Sequence, residues 1–194
     1  LAKNRLLMGR AHVLTGIGGS SKTTLLYHLA MAGVIGRLPW DWVIESTGTA
    51  LLFLTEDTAQ DVHHSLAAMT ADLDDGEVEL LAERLRVFAL AGEDVRLLSL
   101  DGQALFENSR GKGLIEKCQQ YGDLVFIGLD PALALTEGDE MSQAHQRYLG
   151  QFCDKLAIKT GACVVLTTHA TKASASAEEL TSHQSRGGGG ITDA

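Results

Sequence analysis

Residues 15–26 read TGIGGSSKTTLL, and their types and spacing suit one chemistry, the holding of a chain of phosphates. Such a loop needs a glycine, four variable residues, a second glycine, a lysine and a serine or threonine. Gly16 opens the pattern and Lys22 and Thr23 close it, while Ser21 stands where the second glycine belongs. The expected nucleotide contacts are Gly16, Gly18, Gly19, Ser20, Ser21, Lys22, Thr23 and Thr24. Their backbone N–H groups can surround a β-phosphate, backed by the partial positive charge at the start of the following helix. Lys22 would reach the β- and γ-phosphates and Thr23 would ligate Mg2+. Ser21 keeps its N–H but lacks glycine's freedom to take φ > 0, a loss of ~1 kcal/mol or more if the loop demands that conformation. A glycine-rich turn capping a helix is the other reading of this stretch.

Three more polar residues close apolar runs. Asp130 ends LVFIGLD (124–130), placed to hold Mg2+ through water opposite Thr23. Glu56 ends LLFLTE (51–56), where a carboxylate can orient or deprotonate an attacking water; as a pair with Asp57 it reads equally as a helix cap. His169 ends VVLTTH (164–169), a position from which a side chain can sense the γ-phosphate and relay hydrolysis to the next loop, although a lone histidine is more often structural. His63 and His64 lack any acid or histidine at metal-ligand spacing and read as surface or packing residues. Parallel strands all end at one sheet edge, where ligands bind. Lys22, Glu56, Asp130 and His169 would then share that edge.

The elements that must position them follow from the patterning. Residues 11–15 read as a short buried strand, and 22–35 carry apolar side chains at helical spacing. The run 48–57 suits a fully buried parallel strand. A helix follows over 58–70, capped by Asp57 or Thr58. The acidic stretch 71–79 reads as a solvated turn entering a short helix. Residues 84–90 read as a strand, 91–111 as a hairpin or irregular insertion, and 112–121 as a helix. A strand over 123–131, a long helix over 141–161 and a strand over 162–170 complete the alternation. The polar, then glycine-rich stretch 171–190 reads as a mobile tail. This alternation predicts an α/β domain whose mostly parallel sheet is covered on both faces.

The chain has 194 residues, 45% of them hydrophobic, enough for a single domain with one substantial core. No apolar run reaches the ~18 residues of a membrane span, and no leader pattern is visible. Cys118, Cys153 and Cys163 form no pair at metal or disulfide-framework spacing, which points to a reducing, cytoplasmic home. A net charge of −9 excludes a domain that grips nucleic acid over its whole face. Any contact with DNA or RNA would run through local loops or within an assembly.

Taken together, these motifs resemble the RecA-like ATPase family that includes the RepA-type hexameric replicative helicases of plasmids and many phage or mobile-element ATPases. GIGGSSKT (16–23) is similar to the family's loop, and LLFLTEDTAQDVHHSL (51–66) to its E-D strand and helix. LVFIGLDPALALTEGDEMS (124–142) resembles the metal-acid strand with its acidic loop, and KTGACVVLTTHATK (159–172) the sensor strand. QSRGGGGITDA (184–194) is similar to the S-R-G-S element. The resemblance implies a three-layer RecA-like P-loop core, ATP and Mg2+ as cofactors, and single-stranded DNA as partner. It also implies assembly into a homo-oligomeric ring such as a hexamer. Arg186 would complete a neighbour's active site or couple nucleotide state to DNA. Ser21 departs from the family's glycine, and Ser65 stands where its E-D helix often carries an arginine. The resemblance further implies one domain over 1–194 that lacks its C-terminal strands. A nucleotide-binding regulator with little hydrolysis and a small-molecule kinase are the competing classes; the kinase lacks an arginine-rich lid here.

Overall fold

The computed structural model describes residues 1–169. The strands are β1 (Ala11–Gly16), β2 (Thr49–Leu54), β3 (Leu85–Ala89), β4 (Leu98–Asp101), β5 (Ala104–Glu107), β6 (Leu124–Asp130) and β7 (Cys163–His169). The helices are α1 (Lys22–Ile35), α2 (Ala59–Thr70), α3 (Asp75–Arg84), α4 (Ser109–Cys118) and α5 (Gln143–Thr160), with a 3-10 turn at Ala132–Leu135.

Five strands form one sheet in the order β1-β7-β6-β2-β3, and every pairing is parallel. Parallel neighbours need crossovers, and each crossover here carries a helix that covers a face. Leu26, Tyr27, Leu29, Val62 and Leu81 from α1, α2 and α3 pack against Ala50, Leu52, Phe126 and Val165 on one face. Ile115, Leu149, Phe152 and Leu156 from α4 and α5, with Leu98 and Leu105 of the β4–β5 hairpin, pack against Leu51, Ile127, Leu129 and Leu166 on the other. The result is a three-layer α/β core. It explains why β6 is buried at every residue: a strand with helices on both faces has no solvent side. Gly128 in its middle is needed for space, because a Cβ there would stand 2.4 Å from Leu52 Cδ2.

Several element boundaries differ from the sequence expectation. β2 stops at Leu54, so Glu56 lies two residues beyond the strand rather than at its end. Thr58, not Asp57, caps α2: its hydroxyl accepts from the Asp61 N–H, and Asp61 accepts from the Thr58 N–H. The acidic stretch 71–79 is, as expected, a turn that enters a short helix, α3. Asp74 caps α3, and Asp75 and Glu77 occupy its first turn, where negative charge complements the helix dipole. The region 91–111 holds the β4–β5 hairpin and then the start of α4, which begins earlier than residue 112 because Asn108 caps it.

The polar tail, including Arg186 and the S-R-G-S-like element, lies outside the described residues. No described helix is long and apolar enough to cross a membrane.

Candidate nucleotide site

All five parallel strands end at the same edge. β1 runs into the loop 17–21, which opens α1. Gly16 is buried, and a Cβ there would meet Ser20 Oγ at 2.5 Å, so the loop closes over a glycine. Ser20 folds inward: both its N–H and its hydroxyl donate to the Ile17 carbonyl, at 3.2 and 2.8 Å. The N–H groups of Gly18, Gly19, Ser21, Lys22, Thr23 and Thr24 find no acceptor among the described residues. A loop of unspent donors at a helix start is what a phosphate chain requires.

Ser21 answers the question raised by its place in the motif. It takes φ 60 and ψ 30, in the left-handed region, and makes no side-chain cap bond. The loop therefore does demand the conformation that glycine adopts without strain.

Lys22 is buried, and its Nζ donates to the carbonyls of Gly16 and Ile17 at 3.1 and 3.0 Å, arched back over the loop. Burial holds its pKa below the ordinary lysine value, while the Asp130 and Glu56 carboxylates act in the opposite direction. The ammonium thus lies in the field of both acids that the sequence singled out.

Asp130 is buried at the end of β6. Thr23 Oγ1 donates to its Oδ2 at 2.5 Å, and the Thr167 hydroxyl donates to its Oδ1. Thr55 adds a bond from its N–H to the Asp130 carbonyl at 2.8 Å, and its hydroxyl reaches the same oxygen at 3.2 Å. Thr23 and Asp130 are therefore in direct contact. An alcohol and a carboxylate at that spacing are hard oxygen ligands suited to Mg2+, which keeps several waters and takes few protein ligands. Among the described residues, no group of three or more histidine, cysteine or acidic side chains is placed to hold a metal ion.

Glu56 is exposed on the turn between β2 and α2 and makes no hydrogen bond among the described residues. Asp57 beside it is partly buried; burial, then the carboxylates of Asp130, Asp61 and Glu56, raise its pKa. His169 ends β7 and lies in register with Gly16 of β1, at the entry to the loop. His63 and His64 are both exposed on α2, with ring centroids 6.1 Å apart.

The structure thus brings Lys22, Thr23, Asp130, Glu56 and His169 to one edge. It also shows residues that sequence reading passed over. Thr167 is fully buried and bonds Asp130, and Thr15 and Thr168 share a hydroxyl–hydroxyl bond of 2.9 Å between β1 and β7. The one signal for them is the polar pair interrupting the apolar run VVLTTH. A groove of about 670 Å³ lies elsewhere, between β2–β3 and α4, and none of these site residues lines it.

Comparison with known proteins agrees with this geometry. No curated protein matches the chain. A family model does: AAA_25, described as an AAA domain, matches residues 1–175. That span, the parallel sheet and the phosphate-type loop carry one conclusion, that the chain belongs to the AAA domain family of P-loop ATPases.

Proposed function

We propose that this chain is an ATP-hydrolysing RecA-like motor domain of the RepA-type helicase kind, working as an oligomer on single-stranded DNA. The observation that carries the ATPase reading is the contact between Thr23 and Asp130 beneath a loop whose amide donors are unspent. Gly18, Gly19, Ser21 and Lys22 hold the phosphates through their N–H groups, and Lys22 releases the Gly16 and Ile17 carbonyls to reach the γ-phosphate. Thr23 would ligate Mg2+ directly and Asp130 through water, and the ion would supply charge that neutralises the transferred phosphoryl group. Glu56 accepts a proton from the attacking water or orients it. His169, next to Gly16 in the sheet, reads the γ-phosphate. Arg186 supplies charge to a neighbouring subunit's site.

The acid at Glu56 favours hydrolysis over a purely regulatory binding module, which has no need of a water-directed carboxylate. The DNA and ring components rest on the resemblance of the motifs and on the polar segment 171–185, suited to a central channel. Three free, buried thiols suit a reducing cytoplasm.

A steady-state ATPase assay with and without single-stranded DNA tests the proposal. Turnover stimulated by DNA is the expected result. Tight ATP binding without turnover under both conditions would move the reading to the regulatory module.

A further inference from the structure

Toward its end β7 carries two threonines whose hydroxyls go to different neighbours. Thr167 donates to Oδ1 of Asp130, on β6. Thr168 shares a hydroxyl–hydroxyl bond of 2.9 Å with Thr15, on β1. Both are buried. Successive side chains of a strand point to opposite faces, so the two hydroxyls serve opposite faces of the sheet. A buried hydroxyl is costly unless its bond is made. Thr167 spends its bond on a carboxylate, the stronger kind of acceptor.

The geometry at Asp130 gives that bond a purpose. The torsion that turns an aspartate carboxylate has broad preferences, so the side chain does not fix its own plane. Here two donors fix it from two elements: Thr167 on β7 at Oδ1, and Thr23 on α1 at Oδ2, 2.5 Å away. A hydroxyl has one proton and two lone pairs. Thr23 spends its proton on Oδ2, which leaves its lone pairs for a cation. That arrangement holds while Oδ2 faces Thr23, and the bond at Oδ1 keeps the carboxylate from turning away.

We propose that Thr167 is a positioning residue for the divalent cation: it holds the plane of the Asp130 carboxylate and, through it, the Thr23 hydroxyl in the orientation that takes the ion. This deepens the reading of Thr23 and Asp130 as the Mg2+ pair and rests on it. Thr167 touches neither ion nor nucleotide; it acts through Asp130.

The test follows a fluorescent ADP analogue binding to the full chain, in EDTA and across a Mg2+ titration. No turnover enters it. The readout is the Mg2+ concentration that gives half of the metal-dependent gain in ADP affinity. Thr167→Val keeps the shape and removes the hydroxyl, and Thr167→Ser returns one. Thr168→Val breaks the other bond on the same strand. Partners that orient a metal's ligands are worth about 10–100-fold in metal affinity, so Thr167→Val should raise the half-saturating Mg2+ about tenfold or more. Its ADP affinity in EDTA should match the parent, because the loop amides hold the phosphates. Thr167→Ser should restore the Mg2+ dependence, and Thr168→Val should leave it at the parent value while lowering the thermal midpoint.

Parent-like Mg2+ dependence in Thr167→Val overturns the proposal. So does an equal loss of ADP affinity in EDTA and in Mg2+, which would show a packing role, or the same Mg2+ shift in Thr168→Val, which would show a general loosening of β7. If the valine chain does not fold, Thr167→Cys, whose thiol is a weak donor, takes its place with the same outcomes. Asp130→Asn is run in parallel. If it leaves the Mg2+ dependence unmoved, the Mg2+ pair fails and the role of Thr167 fails with it. If it shifts that dependence and Thr167→Val does not, the pair stands and only the positioning role falls.

Discussion

At Asp130 both carboxylate oxygens accept hydrogen bonds, one from Thr23 on α1 and one from Thr167 on β7, and the side chain is buried. On the neighbouring strand's extension, Glu56 is exposed and bonds to nothing described. These two acids are offered for one reaction, yet one is held from several elements and the other is not. On our proposal, the phosphate-and-metal half of the site is then a property of the folded sheet. The water half stands on a turn beyond a strand that has already ended, and needs something more to fix it. On our proposal, substrate binding is the natural supplier.

The largest effect should come from removing the cation that serves both halves. Lys22→Ala takes away the loop's ammonium, which now bridges Gly16 and Ile17. We expect hydrolysis to fall below detection, ATP affinity to drop, and the circular dichroism spectrum to stay that of the parent. Parent-level turnover in this variant would dissolve the site.

Arg186 sharpens the comparison from outside the chain. An arginine supplied in trans is worth about 10³–10⁵ in rate. Hydrolysis per subunit should rise with protein concentration, and Arg186→Ala should flatten that rise while leaving monomer ATP affinity nearly unchanged. Mixing Arg186→Ala with Lys22→Ala chains should restore activity at mixed interfaces. Confirmed mixed assemblies with no recovery would place the arginine's action within its own subunit, or nowhere.

Asp130→Asn probes the prepared half. The amide keeps the shape, but it can accept a hydrogen bond at only one of the two positions now bonded by Thr23 and Thr167. The Mg2+ concentration for half-maximal activity should rise about 10–100-fold. An unchanged Mg2+ requirement would remove Asp130 from the metal site.

The smallest effect belongs to Ser21. Its backbone is left-handed, a conformation that strains a residue with a Cβ. Ser21→Gly relieves about 1 kcal/mol of strain, less glycine's larger entropy in the unfolded chain. The thermal midpoint should rise by up to about 2–4 °C for a chain of this size. ATP affinity should change little. An unchanged or lowered midpoint would mean that the loop holds the serine there without strain.

What was legible in the sequence divides along similar lines. The parallel strands are continuous apolar runs because helices cover both faces, so TALLFL, LVFIGLD and CVVLTTH announce themselves, and the order of helix and strand follows. The phosphate loop is legible because its chemistry is local: glycines, a lysine and a threonine within eight residues. The turn leading into α3 was legible too, but not the Asp74–Glu77 capping box that fixes where the helix begins. The β4–β5 hairpin was expected only as a hairpin or irregular insertion, because strands of four residues carry too few alternations to display a period, and the early start of α4 was hidden. Thr167 left only the trace of a polar pair in VVLTTH; that its hydroxyl faces Asp130 is set by chain 37 residues away.

The most direct test of the unequal halves is Glu56→Gln, measured for Mg-ATP affinity and for turnover on the same preparation. The amide keeps the shape and removes the carboxylate. Because Lys22, Thr23 and Asp130 are assembled without it, affinity should stay within about threefold of the parent, while turnover should fall by about 10²–10⁴, the usual worth of a general base. Turnover equal to the parent, or a loss of affinity as large as the loss of turnover, would contradict the account.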